Sequence, residues 1–94
     1  MPCDNYLIDI SAIKKDIDKI KDKSIQDQIR KKIVRVKDNP YIGEEKKYSL
    51  KNYRVVKVKN QRIVMIYRIN EIDCIIIFTM IASHDKAYLN TFIQ

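Results

Sequence analysis

Glycine and proline are nearly missing from this 94-residue chain, which has one Gly and two Pro. Residues that break regular structure are too few for long flexible linkers, and a chain of this length supports one hydrophobic core rather than two. The sequence therefore predicts a single domain over residues 1–94. Cysteine is scarce as well: Cys3 and Cys74 are too few and too differently placed for the disulfide framework of a small secreted protein. Cys74 heads an apolar run and is expected to fill core space, while Cys3 is expected to be an exposed thiol near a loose terminus. One His and two scattered Cys do not assemble a zinc site. No apolar run approaches the ~18 residues of a membrane span, and no basic region followed by an apolar stretch marks a secretory signal. These absences argue against membrane-spanning, disulfide-stapled and zinc-dependent classes, with a reducing cytoplasm as the expected setting.

What is present is cation. The net charge is +7 and the pI about 9.5, a balance that favours polyanionic partners such as RNA, DNA or an acidic protein. Its distribution says more than its total. Residues 11–38 carry ten Lys or Arg against five Asp, and residues 44–68 carry eight against two Glu, while both ends are mildly acidic. With 46% hydrophobic and 33% charged residues, the chain belongs with folded globular proteins rather than disordered basic tails.

Periodicity organises the chain. Tyr6, Ile8 and Ile10 alternate with Leu7 and Asp9 and share one face, as in a short first strand. Ser11 is placed to cap a helix over about 12–22, in which Ile13, Ile17 and Ile20 form one stripe. Asp22-Lys23-Ser24 interrupts it, and Ser24 followed by Asp27 resembles a capping box. Ile25, Ile29, Ile33 and Val36 then continue at helical spacing over about 25–37, giving an antiparallel helical pair that stops at Asp38-Asn39-Pro40. Residues 41–52 show no period and read as a connecting loop. From Tyr53 to Ile81 run three β-type segments, about 53–59, 62–69 and 73–82, parted by polar tips at Lys59-Asn60-Gln61 and Asn70-Glu71. In the middle segment Ile63, Met65, Tyr67 and Ile69 share one face and Arg62, Val64, Ile66 and Arg68 the other. The last segment is apolar on both faces, as a central strand is. The fold class is α+β: an antiparallel-dominated four-stranded sheet packed against an N-terminal helical hairpin, in the order β-α-α-β-β-β. One sheet face is expected to be buried and the other to be a basic working face.

Five pieces in this order carry a family resemblance: Y-L-I-D-I-S-A-I-K-K-D-I-D-K-I, K-D-N-P-Y, L-K-N-Y-R, R-I-V-M-I-Y-R-I and I-A-S-H-D-K-A-Y. Together they resemble a RelE-type toxin of the RelE/ParE superfamily over almost the whole length. The resemblance implies an endoribonuclease that cuts messenger RNA in the ribosomal decoding site, the RNA's own 2′-hydroxyl attacking the adjacent phosphate without a metal or other cofactor. It also implies control by a cognate antitoxin, expected to be acidic and to fold over the basic groove as one or two amphipathic helices. Relative to the family's usual pattern, Arg54-Val55-Val56-Lys57 holds an extra apolar residue and four residues, not two, part Arg62 from Tyr67. A bulge in either strand would turn the later side chains to the opposite face.

That chemistry needs a base for the 2′ proton, cations for the charge growing on the phosphoryl oxygens, and an acid for the leaving oxygen. Arg62 is the first candidate for the cationic clamp, because a guanidinium binds phosphate through two parallel hydrogen bonds and keeps its charge. Arg54 and Lys57 correspond to the family's second-strand basic pair, and simple alternation does not put both on one face. His84 is the only side chain that normally titrates near neutrality, and Tyr88 matches the family's terminal Tyr, which stacks on a base or handles a proton. Lys46, Lys47, Lys51, Lys59 and Arg68 are the candidate RNA contacts. Two other readings stay open beside the ribosome-dependent nuclease: a ParE-like toxin that poisons DNA gyrase, and an inactive relative serving as an RNA- or protein-binding module.

Overall fold

The structure is a computed structural model and describes residues 3–45, 53–58 and 62–83. Strand β1 (Leu7–Asp9) leads into α1 (Lys14–Asp18) and α2 (Lys23–Asp38). A single 3₁₀ turn (Pro40–Ile42) and β2 (Glu44–Glu45) precede β3 (Tyr53–Val58), β4 (Ile63–Asn70) and β5 (Ile75–Ser83). The strands form one sheet in the order β1-β5-β4-β3-β2. β1 runs parallel to β5 and the other three pairings are antiparallel. The helices cover one face of this sheet, so the α+β layering expected from periodicity is what forms. The sheet has five strands rather than four, because Glu44 and Glu45 pair with Val55 and Arg54 inside the stretch that lacks any period. A two-residue strand is too short to leave a repeat in the sequence.

The helical stripe is the core's upper half. Ile13, Ile17, Ile29, Ile33 and Val36 meet Val56, Val58, Met65, Tyr67, Ile76 and Phe78 in one buried cluster. Ile13, Ile29, Ile76 and Phe78 are fully buried, each such side chain stabilising the fold by ~1.5–3 kcal/mol over an exposed one. Tyr67 and Phe78 pack as a tilted ring pair with centroids 5.3 Å apart.

The helix ends differ from the pattern-based expectation. Ser11 does not cap α1; its N–H and hydroxyl both bond the Asp9 carboxylate, at 2.9 and 2.7 Å, which forms a side-chain turn before the helix. These bonds hold the Asp9 carboxyl below its ordinary pKa. Asp22, not Ser24, is the N-cap of α2: its carboxylate accepts the Ser24 N–H at 2.8 Å and the Ile25 N–H at 3.4 Å. α1 is shorter than the apolar stripe suggests, and beyond it the Gln26 side chain donates to the carbonyls of Ile17 and Ile20 at 3.0 and 2.8 Å. The Ile17 carbonyl also accepts the Ile20 N–H at 3.0 Å, so a side chain of the next helix ties down the turn that follows α1.

The cysteine reading is also corrected. Cys3 and Cys74 form a disulfide with Cα atoms 5.8 Å apart, and Cys3 is buried. The parallel β1–β5 pairing causes this, because Leu7 lies opposite Ile75 and its N–H bonds the Cys74 carbonyl, so the segments before both strands arrive side by side. Cys74 has a φ of 56°, the left-handed conformation that closes the β4–β5 turn. Asn70 supports that turn by accepting the Ile72 and Asp73 N–H groups at 3.0 Å each.

Candidate functional site

Register decides which polar side chains face which way. β3 and β4 pair without interruption from Tyr53↔Arg68 to Val58↔Ile63, so neither of these strands is bulged against the other. The irregularity lies in the β4–β5 pairing, where Ile66 faces Met80, Tyr67 faces Phe78 and Thr79 is the extra residue. Directly paired residues share a face. Arg54, Val56, Met65 and Tyr67 therefore point to the helices, and Tyr53, Val55, Lys57, Val64, Ile66 and Arg68 to the open face, which no described helix covers although Val64 and Ile66 on it are buried.

Arg54 is thus on the helix side, at its rim, where its guanidinium donates to the Gly43 carbonyl at 2.7 Å and the Tyr41 carbonyl at 3.4 Å. It also lies 5.0 Å above the Tyr41 ring and 3.8 Å from the Glu45 carboxylate. These contacts clip the 3₁₀ turn and β2 onto the sheet. Tyr67 completes the clip from below, its buried hydroxyl donating to the Pro40 carbonyl at 2.6 Å and accepting the Gly43 N–H at 3.0 Å. Burial pushes the Tyr67 phenol above its ordinary pKa. Tyr41 is raised more strongly, because its hydroxyl donates to Glu71 at 2.6 Å and ionising it would set two negative charges together.

Lys57 is exposed on the open face, opposite Val64. Arg62 is exposed and immediately precedes β4; continuing the alternation of β4 one step places it on the Val64 side. Lys57 and Arg62 are then diagonal cross-strand neighbours, within reach of long side chains. β5 ends at Ser83 opposite Ile63, so the chain leaves the sheet beside Arg62. His84 follows directly in sequence, and it lies outside the described residues, as do Tyr88, Lys46, Lys47, Lys51 and Lys59. Arg68 shares the open face, but about 20 Å of strand at ~3.4 Å per residue parts it from Arg62, so the two do not hold one phosphate. Of the candidate cations, then, Lys57 and Arg62 come together at one end, Arg68 lies at the other, and Arg54 is on the opposite face. Nothing in the sequence run R-V-V-K told which of its two cations turns inward; strand register puts Arg54 there, and the Tyr41 and Gly43 carbonyls receive it.

Among the described residues, no group of three His, Cys, Asp or Glu is arranged to hold a metal ion. No described helix is long and apolar enough to cross a membrane.

The arrangement is a two-helix layer over one face of a mixed sheet, with cations at one end of the other face. A family model of ParE-like toxins of type II bacterial toxin-antitoxin systems matches residues 7–91, and the chain belongs to that family, within the RelE/ParE superfamily of toxins. Solved structures show the same fold. A doubly substituted E. coli toxin RelE in the free state has a TM-score of 0.71 at 17% identity, with 92% of each chain covered. A chain of the intact E. coli RelBE toxin-antitoxin complex has a TM-score of 0.71 at 18% identity, covering 83% of this chain and 95% of that one. A chain of the RelBE2 toxin-antitoxin complex of Mycobacterium tuberculosis has a TM-score of 0.70 at 12% identity, covering 85% and 99%. No curated protein matches the sequence.

Proposed function

We propose that this toxin is a ribosome-dependent endoribonuclease that cleaves messenger RNA by attack of the 2′-hydroxyl on the adjacent phosphate. The observation that carries the reading is the convergence of Lys57, Arg62 and the end of β5 at one end of the open face. Attack forms the bond from the 2′-oxygen to phosphorus and breaks the bond to the 5′-oxygen, leaving a 2′,3′-cyclic phosphate and a 5′-hydroxyl. Arg62 neutralises the charge on the phosphoryl oxygens through paired hydrogen bonds. Lys57 adds a second positive charge from the neighbouring strand. His84 and Tyr88 are the proposed proton carriers, taking the 2′ proton and supplying one to the 5′-oxygen. Arg54 is proposed to support the site from the other face of the sheet, not to touch the phosphate. The remaining cations, Lys46, Lys47, Lys51, Lys59 and Arg68, serve RNA by charge. The proposed setting is the cytoplasm, where ribosomes are.

A cognate antitoxin is the proposed inhibitor, supported by the RelBE and RelBE2 complexes among the structural relatives. With a net charge of +7, the toxin calls for an acidic one.

Controlled expression with growth, translation and transcript ends followed together tests the proposal. Growth arrest with new mRNA 5′ ends on ribosomes is expected. Arg62→Ala is expected to reduce cleavage by ~10²–10³-fold, the usual loss for one charge-stabilising donor, without unfolding the protein. Intact transcripts accompanied by DNA-damage signalling would select the gyrase-poisoning reading instead.

A further inference from the structure

The disulfide fastens the sheet at its β1 edge. β1 is three residues long and pairs with β5 through Leu7, Ile8 and Asp9, with Leu7 67% exposed. Just before it, Tyr6 is buried, yet its hydroxyl makes no well-formed hydrogen bond among the described residues, which costs stability. At the far end of the link, Cys74 holds a φ of 56°, a conformation unfavourable for a residue with a side chain. Three strand pairs and the Tyr6 ring thus hold residues 3–9 against two unfavourable features, and the Cys3–Cys74 bond adds a covalent hold. The Glu71 carbonyl oxygen stands 3.3 Å from the Cys3 sulfur and 3.8 Å from the Cys74 sulfur, so a thiol at either position has an acceptor when the bond is open.

We propose that Cys3–Cys74 is a redox latch: a protein dithiol opens it, residues 3–9 then detach from β5, and the toxin's lifetime rather than its chemistry follows the thiol state. Disulfides in a reducing cytoplasm are mostly transient or redox-sensing, so the latch rests on the cytoplasmic setting proposed for the toxin. Cys74 is half-buried and Cys3 buried, which directs attack to the Cys74 sulfur. The dithiol's thiolate bonds to that sulfur, and the Cys3 sulfur leaves and takes up a proton. The second dithiol sulfur then displaces Cys74, so two electrons and two protons pass to the toxin and the dithiol ends as a disulfide. Glutathione disulfide drives the reverse exchange. Arg62 lies about 27 Å along β4 from Asn70 at ~3.4 Å per residue, so opening the latch leaves the Lys57–Arg62 end in place. Under oxidising conditions the latch closes and the toxin persists. Under reducing conditions the loosened edge is open to proteolysis.

The test equilibrates the intact protein in mixtures of reduced and oxidised glutathione, with a trace of dithiothreitol as the dithiol. Free thiols are counted by maleimide alkylation and mass spectrometry, and amide hydrogen exchange is followed in the same samples. The latch is expected to be open at cytoplasmic glutathione ratios and closed where the oxidised form dominates. The Leu7 amide, which bonds the Cys74 carbonyl at 2.9 Å, is expected to exchange roughly 30- to 10³-fold faster in the reduced protein, the range for losing one native disulfide. Cys3→Ser is expected to show the fast rate at every ratio. A bond that stays closed at cytoplasmic ratios, or a Leu7 amide that exchanges equally fast in both thiol states of the wild type, overturns the latch. Cleavage of mRNA on ribosomes that changes per folded molecule with thiol state overturns its restriction to lifetime. Exchange and thiol counts need no RNA, so a protein that leaves transcripts intact but passes both keeps the latch and loses the nuclease reading, and one that cuts transcripts but fails either does the reverse.

Discussion

Tyr67 and Arg54 are polar residues whose purpose is decided by one step of strand alternation. The Tyr67 hydroxyl satisfies a carbonyl and an amide that the 3₁₀ turn leaves without partners. Tyr67→Phe orphans both, and the expected loss is ~1–3 kcal/mol of unfolding free energy in a denaturant titration. Gly43 is the other half of this contact, since a Cβ there would stand 2.5 Å from the Tyr67 hydroxyl oxygen. Gly43→Ala is thus expected to displace the ring and destabilise by ~1–3 kcal/mol. The raised Tyr67 pKa sets the sign of a pH effect. The neutral phenol's contribution is fully present below the unfolded-state value of ~10 and is lost as pH rises through the higher folded value. Stability is expected to fall above about pH 10, and Tyr67→Phe to flatten part of that fall in unfolding curves measured across alkaline pH. Arg54→Ala should likewise lower stability, whereas Arg62→Ala, at an exposed position, should change it by no more than ~0.5 kcal/mol. That contrast separates the inward cation from the outward one.

Among the elements, α2 was the most legible. Ile29, Ile33 and Val36 are buried at the spacing their sequence shows, and Ile25 packs at the edge of the core. Its start was misplaced by two residues because Asp22, Lys23 and Ser24 offer two capping side chains, and the link from α1 decides which meets the free N–H groups. Asp22→Ala is expected to cost ~0.5–2 kcal/mol in thermal or denaturant unfolding, with Ser24→Ala well below that. The long strands were equally readable from alternation and from the Arg and Lys residues along them. β2 was not, because two glutamates carry no period and become a strand only through the β3 edge they pair with. Thr79 could not be identified as the extra residue either: β5 is apolar on both faces, so a register slip changes nothing visible in its pattern. Of the site, the strands bearing Lys57, Arg62 and Arg68 could be read. Their separation into two ends of one face, and Arg54's removal from it, follow from register.

At the scale of the whole molecule, the disulfide links residues 71 apart in sequence, tying the N-terminal segment to the β4–β5 turn. Closing a loop of that length restricts the unfolded chain by ~4 kcal/mol in the chain-entropy account. Adding dithiothreitol is therefore expected to lower the denaturation midpoint of the wild type and to leave Cys3→Ser unaffected. Two cysteines so far apart suggested unrelated thiols, since pairing requires β1 to lie parallel beside β5, and strand order is not a local property. Composition and periodicity were enough to establish a small basic α+β domain with an isoleucine-lined helical layer, because burial of apolar stripes is enforced residue by residue along each element. Strand order, the disulfide, the fifth strand and the inward turn of Arg54 came only with folding, because each depends on backbone groups from distant segments finding partners in the same place.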